Sequence, residues 1–160
     1  MVHGGKSVLL DDVAFLLARA SAVAVSAGND ALRPLGLTAR AFATLTLAVE
    51  HDGVTQRAIS DFLRLDPSRV VGIIDDLESR GFVSRLVGRD DRRMKVVVAT
   101  PEGRALFGQA VTATRDAEAR VFAGLAPGVR TDVIGLLRRL AFPAEQVIPE
   151  AGAGAERRAG

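Results

Sequence analysis

The chain has 160 residues, 48% of them apolar and 25% charged. These proportions belong to an ordinary globular chain with a sizeable core, which excludes disorder throughout and favours one domain with an appendage over two domains. No run approaches about eighteen uninterrupted apolar residues, and Asp11-Asp12 interrupts the start before a signal-peptide core develops, so the expectation is a cytoplasmic protein with no membrane partner. The absence of cysteine excludes disulfides, thiolate metal sites and thiol redox sensing, and His3 and His51 are the only imidazoles. No metal site and no cofactor are expected, and nucleophile-histidine catalysis is short of members.

The net charge of +2 is too small to point to nucleic acid by itself. Its distribution says more, because Arg80 to Lys95 holds six basic residues (Arg80, Arg85, Arg89, Arg92, Arg93 and Lys95) against two acidic ones. A local basic cluster on a nearly neutral chain suits phosphate contact, where released counterions supply much of the binding free energy.

In chain order, Leu9, Val13, Leu16, Leu17, Ala20 and Val23 recur at helical spacing and predict an amphipathic helix over 8–28. Asn29 to Leu37, with Pro34 and Gly36, breaks it. Thr38 caps a second helix through about Glu50, with Phe42, Leu45 and Val49 as its stripe, and His51-Asp52-Gly53 ends it. Thr55 caps a short third helix with Ala58, Ile59 and Phe62 inward, and Arg64-Leu65 forms the next turn.

Asp66-Pro67 is the clearest helix start, a carboxylate cap before a proline whose missing N–H costs nothing at the first position. This fourth helix runs to about Arg80, with Val70, Ile73, Ile74 and Leu77 buried, Ser68, Gly72, Asp75 and Ser79 outward, and Gly81 as the stop. From Phe82 the period changes to two β-branched runs, about 82–87 and 94–99, around the charged segment Gly88 to Arg93, which predicts a hairpin. Thr100-Pro101-Glu102 opens a long helix of roughly 36 Å, Pro127 opens a last one with Val129, Val133, Leu136, Leu137 and Leu140 inward, and 143–160 is expected to be a flexible tail.

This order predicts a mainly α fold with a small β-hairpin wing, a winged helix-turn-helix framed by terminal helices. The domain spans 8–142, with 38–100 as the DNA-binding lobe and 8–28 and 101–142 as dimerisation helices. The fourth helix combines an apolar back with an exposed amino-terminal face, as a recognition helix in the major groove requires, and an arginine-rich hairpin tip suits a narrow minor groove. The candidate DNA contacts are Thr55 and Gln56 at the start of the third helix, Ser68, Arg69, Val71 and Gly72 on the fourth, and Arg89, Arg92 and Arg93 on the wing.

Three segments carry a family resemblance: LRPLGLTARAF, TQRAISDFLRLDPSRVVGIIDDLESRGFVSR and DDRRMKVVVATPEGRAL. With them, about residues 8–142 resemble the multiple-antibiotic-resistance-regulator (MarR) family of bacterial transcription factors. The resemblance implies a homodimer built by the first and last two helices, binding a palindromic operator on double-stranded DNA and often released by a small ligand. It implies that Ser68 and Arg69 begin the recognition helix, that Arg93 is the arginine placed in the minor groove, and that Asp91 orients the wing. Two departures stand out: Gly72 occupies a site where a basic or polar side chain is common, and Arg89 stands where proline is common.

Two other classes compete. Paired carboxylates (Asp11-Asp12, Asp75-Asp76, Asp90-Asp91) suggest a small enzyme, but neighbours on a helix diverge by about 100°, so the first two pairs do not converge on a substrate. A winged-helix protein-interaction module without DNA binding is opposed by the basic tip. The expectation is therefore a non-catalytic regulator, read as a repressor. With thiol and metal sensing excluded, a small organic effector resembling an aromatic acid is left, with Phe15, Arg19, Arg40, Phe42 and Phe107 as candidate pocket residues.

Overall fold

The computed structural model describes residues 7–88 and 94–142. Helices α1 (Val13–Leu32), α2 (Ala39–Glu50), α3 (Gln56–Leu63), α4 (Pro67–Ser79), α5 (Pro101–Phe122) and α6 (Val129–Ala141) surround a small sheet of β1 (Val54–Thr55), β2 (Val83–Val87) and β3 (Lys95–Ala99). All pairings are antiparallel in the order β1-β3-β2. The wing hairpin holds the register Val83↔Ala99 through Val87↔Lys95, extended by the Gly88 N–H donating to the Met94 carbonyl at 2.8 Å.

Side-chain caps start the helices of the lobe where the sequence places them. The hydroxyls of Thr38, Thr55 and Thr100 accept from the N–H groups of Ala41, Ala58 and Gly103, and Asp66 accepts from Ser68 N–H at 2.8 Å. Each satisfies a donor that the first helical turn leaves unpaired. At the end of α4, Phe82 N–H donates to Leu77 O and Gly81 N–H to Glu78 O, both at 2.9 Å, with Gly81 at φ +76°. This double closure needs a left-handed residue, and glycine supplies it without a Cβ penalty. The turn between α3 and α4 makes the same reversal without glycine: Arg64 sits at φ +50°, and the Ser60 hydroxyl donates to Leu65 O at 2.6 Å.

The core lies where the lobe's helices meet the sheet. Leu32, Leu45, Ile59, Val70, Ile74, Leu77, Val54, Val83 and Val97 are fully buried there, and Leu106 and Ala110 of α5 join them. α5 leaves the wing at a tightly built joint. Thr100 N–H donates to Phe82 O at 3.1 Å, and the Thr100 hydroxyl donates to Gly81 O at 2.7 Å. A Cβ on Gly103 would fall 1.9 Å from Phe82 O, so only glycine lets the helix start this close to the strand. α1 then packs along α5, and Arg130 of α6 forms a two-pronged ion pair with Glu118 of α5 at 2.8 and 3.0 Å.

Several expectations need correction. α1 begins at Val13, because Asp12 caps it through Phe15 N–H at 2.7 Å and Val8–Leu10 forms a separate 3-10 turn; it continues to the fully buried Leu32, well past 28. α6 opens at Val129 behind Gly128 at φ +91°, with Pro127 in the preceding turn. Its supposed inward row is open in the single chain, Leu136, Leu137 and Leu140 being 50, 42 and 57% exposed. The apolar row of α1, including Val13, Leu16, Leu17 and Val23, is exposed too. β1, two residues long, has no signal of its own in the sequence and forms by pairing Val54 and Thr55 with Val97 and Val96. No helix among the described residues is long and apolar enough to cross a membrane.

Candidate nucleic-acid interface

The proposed reading surface starts from how α4 is mounted. Val70, Ile74 and Leu77 fix its back in the core, and the two amino-terminal turns present Ser68, Arg69, Val71 and Gly72 to solvent. Val71 is a branched apolar side chain left 41% exposed on that face. Gly72 has open space where a Cβ would stand, so its backbone can be approached closely. Ser68 donates its hydroxyl as well as its N–H to Asp66, and these bonds, with the Arg69 charge beside them, hold the Asp66 carboxyl below the usual carboxylate range. Thr55 and Gln56, half-buried at the head of α3, differ in freedom, because the Thr55 hydroxyl is occupied by its capping bond at 3.1 Å.

The acidic residues of α4 are held in ion pairs. Arg85 of β2 bridges Asp75 and Glu78, and its backbone N–H also donates to Glu78 Oε1 at 2.8 Å. These bonds hold Glu78 below its usual range; burial opposes the Arg85 charge, but the two carboxylates outweigh it and raise the guanidinium further. Arg80 pairs with Asp76 at 3.1 Å, donates to Gly36 O at 2.8 Å, and lies over the Phe82 ring at 5.0 Å. The basic cluster counted from the sequence is thereby smaller than it looks: Arg80 and Arg85 anchor α4 to its neighbours. The i, i+3 spacing of Asp75 and Glu78 beside a hairpin carrying Arg85 was the available signal. Asp75 and Asp76 also serve different partners and do not converge.

Arg89, Asp91, Arg92 and Arg93 lie outside the described residues. The candidate pocket residues are not gathered at one place. Phe42 and Phe107 stack with ring centroids 6.0 Å apart and pack against the core. Phe15 is half-buried and Arg19 exposed on α1. Arg40 belongs elsewhere, to a cleft of about 430 Å³ between the first turn of α2 and the middle of α4, lined by Gly36, Thr38, Arg40, Ala41, Arg69, Gly72, Ile73 and Asp76.

This geometry has close relatives. The MarR family profile matches residues 37–95. The HTH-type transcriptional repressor Rv2887 of Mycobacterium tuberculosis is 30% identical over 134 residues, covering 82% of this chain and 96% of the repressor. The chain belongs to the MarR family. As a member it is a winged-helix, DNA-binding transcriptional regulator. A MarR-family regulator from Rhodococcus sp. RHA1 shares 40% identity and superposes with a TM-score of 0.81, covering 88% of this chain and 99% of that one. CouR from Rhodococcus jostii RHA1, solved bound to p-coumaroyl-CoA, shares 39% with a TM-score of 0.79 over 89% of this chain and 100% of CouR. Rv2887 has itself been solved in complex with DNA, with a TM-score of 0.68 over 81% of this MarR chain and 97% of that one.

Proposed function

We propose that this MarR-family chain is a homodimeric, ligand-responsive repressor that binds a palindromic operator through α4 and the wing. It acts in the cytoplasm and carries no catalytic activity. The observation that carries the reading is the mounting of α4: three side chains fully buried behind it, its carboxylates drawn into ion pairs, and Ser68, Arg69, Val71 and Gly72 left facing outward. Arg69 is suited to a guanine edge or a flanking phosphate, and Val71 to a thymine methyl. Arg92 and Arg93, with Arg89, supply charge for the neighbouring minor groove, Asp91 orients them, and Thr55 and Gln56 face the backbone. Two-fold symmetry sets the two α4 helices on half-sites roughly 34 to 36 Å apart.

The effector class follows from the relatives and from what the chain lacks. CouR was solved with an aromatic acyl thioester, and a chain without cysteine has no thiol switch. An aromatic acid or its thioester, held over Phe15, Phe42 and Phe107 with Arg19 toward its anionic group, must prefer the arrangement that cannot bind DNA.

The test is selection from random duplex DNA, followed by affinities of the selected palindrome for Arg69→Ala and Arg93→Ala. Each substitution is expected to weaken binding about 5- to 100-fold, as loss of one good contact does. Failure to enrich any sequence would overturn the reading. Aromatic acids and their CoA thioesters, titrated against peroxide as a control, are expected to release the DNA; release by peroxide alone would overturn the effector class.

A further inference from the structure

The last helix is held to the rest of its own chain at its two ends. At its start Arg130 grips Glu118 of α5. Just beyond its end Phe142 stacks on Phe62 of α3, with ring centroids 5.5 Å apart and an interplanar angle of 27°. α6 buries none of its own residues in the single chain, and its leucine row is open. Phe62, by contrast, is packed against the lobe's core. The stack therefore joins the end of α6 to the helix that supports α4.

The arrangement closes a triangle. α5 is fixed to the wing at the Thr100, Phe82 and Gly103 joint and rises about 33 Å over its 22 residues; α6 turns back for about 20 Å over 13. α5 and α1 hold the lobe on its α2 side, where Leu106, Ala110 and Leu32 enter the core. A further member returning to α3 restricts the tilt that those attachments leave. We propose that the Phe62–Phe142 stack is a brace that sets the tilt of each reading head on the dimer, and so makes Phe142 a determinant of which half-site spacing the dimer accepts. This rests on the dimeric, operator-binding reading above.

One base pair inserted between half-sites turns one of them by roughly 35° about the helix axis, so a braced dimer pays heavily for it and an unbraced one less. With the palindrome selected by the wild-type protein, affinities are measured for spacers changed by one and two base pairs. An aromatic pair of this kind is worth a factor of about 2 to 10, and Phe142→Ala is expected to reduce the spacing penalty by about that factor while remaining dimeric. Phe142→Tyr restores the wild-type profile, and Phe62→Leu relaxes it as Phe142→Ala does.

A second readout needs no DNA. Because the chain has no cysteine, Ser79→Cys gives one spin label per subunit, and the distance distribution between labels is expected to broaden in Phe142→Ala and narrow again in Phe142→Tyr. An unchanged spacing profile and an unchanged distribution in Phe142→Ala would overturn the brace alone. Conversion of that variant to a monomer would overturn it too, since the brace lies within one chain. Failure of the wild-type protein to select a palindrome would instead remove the operator-binding reading itself.

Discussion

Two glycines in helices of this protein do opposite things. Gly103 stands where a Cβ would lie 1.9 Å from the Phe82 carbonyl oxygen, whereas Gly72 has nothing within 4 Å of its missing Cβ. Gly103→Ala must push α5 off the wing strand and is expected to cost about 2 kcal/mol or more. Gly72→Ala is expected to stabilise the fold by about 0.5 to 1 kcal/mol, as replacing a helical glycine does, while lowering operator affinity if bases approach its backbone. Urea unfolding at one fixed protomer concentration measures both; equal effects of the two substitutions would contradict this account. Thr44 is a third informative position. Its hydroxyl is buried without a hydrogen-bond partner among the described residues, whereas Thr46 bonds back to Phe42 O at 2.9 Å. Thr44→Val is expected to raise stability by about 1 kcal/mol, since a desolvated, unpaired hydroxyl is unfavourable; a loss of stability in the same measurement would show that the hydroxyl is satisfied.

At the scale of elements, the contact between α4 and β2 is held by Arg85 between Asp75 and Glu78. Bonds from the Arg85 backbone and side chain keep Glu78 below its ordinary 4.5. A carboxylate lowered on folding stabilises fully above its unfolded value and loses that contribution as pH falls through the folded one. The stability advantage of the wild type over Glu78→Gln is therefore expected to shrink as pH drops below about 4.5, and a difference constant with pH would refute the pairing. Elements whose signals are local were legible in the sequence: Thr38, Thr55, Asp66 and Thr100 cap the helices they announce, and Gly81 closes α4. What was not legible depends on distant partners. β1 is two residues long and exists only because β3 pairs with it. The partners of Arg85, Glu78 and Asp75, lie seven and ten residues away, and its role appears once the hairpin folds back along α4. The start of α1 is hidden in the sequence because Leu9 continues the apolar period into a turn that Asp12 separates from the helix.

The whole molecule leaves two apolar rows open, one on α1 and one on α6, and a lone chain gains nothing from them. They make sense as a two-fold interface. Leu137→Asp places a charge in that row and is expected to give monomers at micromolar concentration by sedimentation, with operator binding lost, while the lobe, whose core Leu137 does not touch, keeps its helical signal. A variant that stays dimeric would place the interface elsewhere. Helical spacing made these rows legible in the sequence, but the same spacing marks a core-facing stripe, and only their exposure in the folded chain tells the two apart.

The Phe82 peptide ties three elements together: its N–H closes α4, its carbonyl receives Thr100, and the same oxygen faces Gly103. Growth of this protein by insertion is therefore very unequal along the hairpin. Residues added beyond the Gly88 to Met94 pair leave each of those bonds in place. One residue added between Phe82 and Val83 would reverse which side chains of β2 face inward and lift Val83 out of the core. The root of the wing is thus an anchor that evolution or design must leave alone, whereas length added beyond Gly88 and Met94 disturbs none of it.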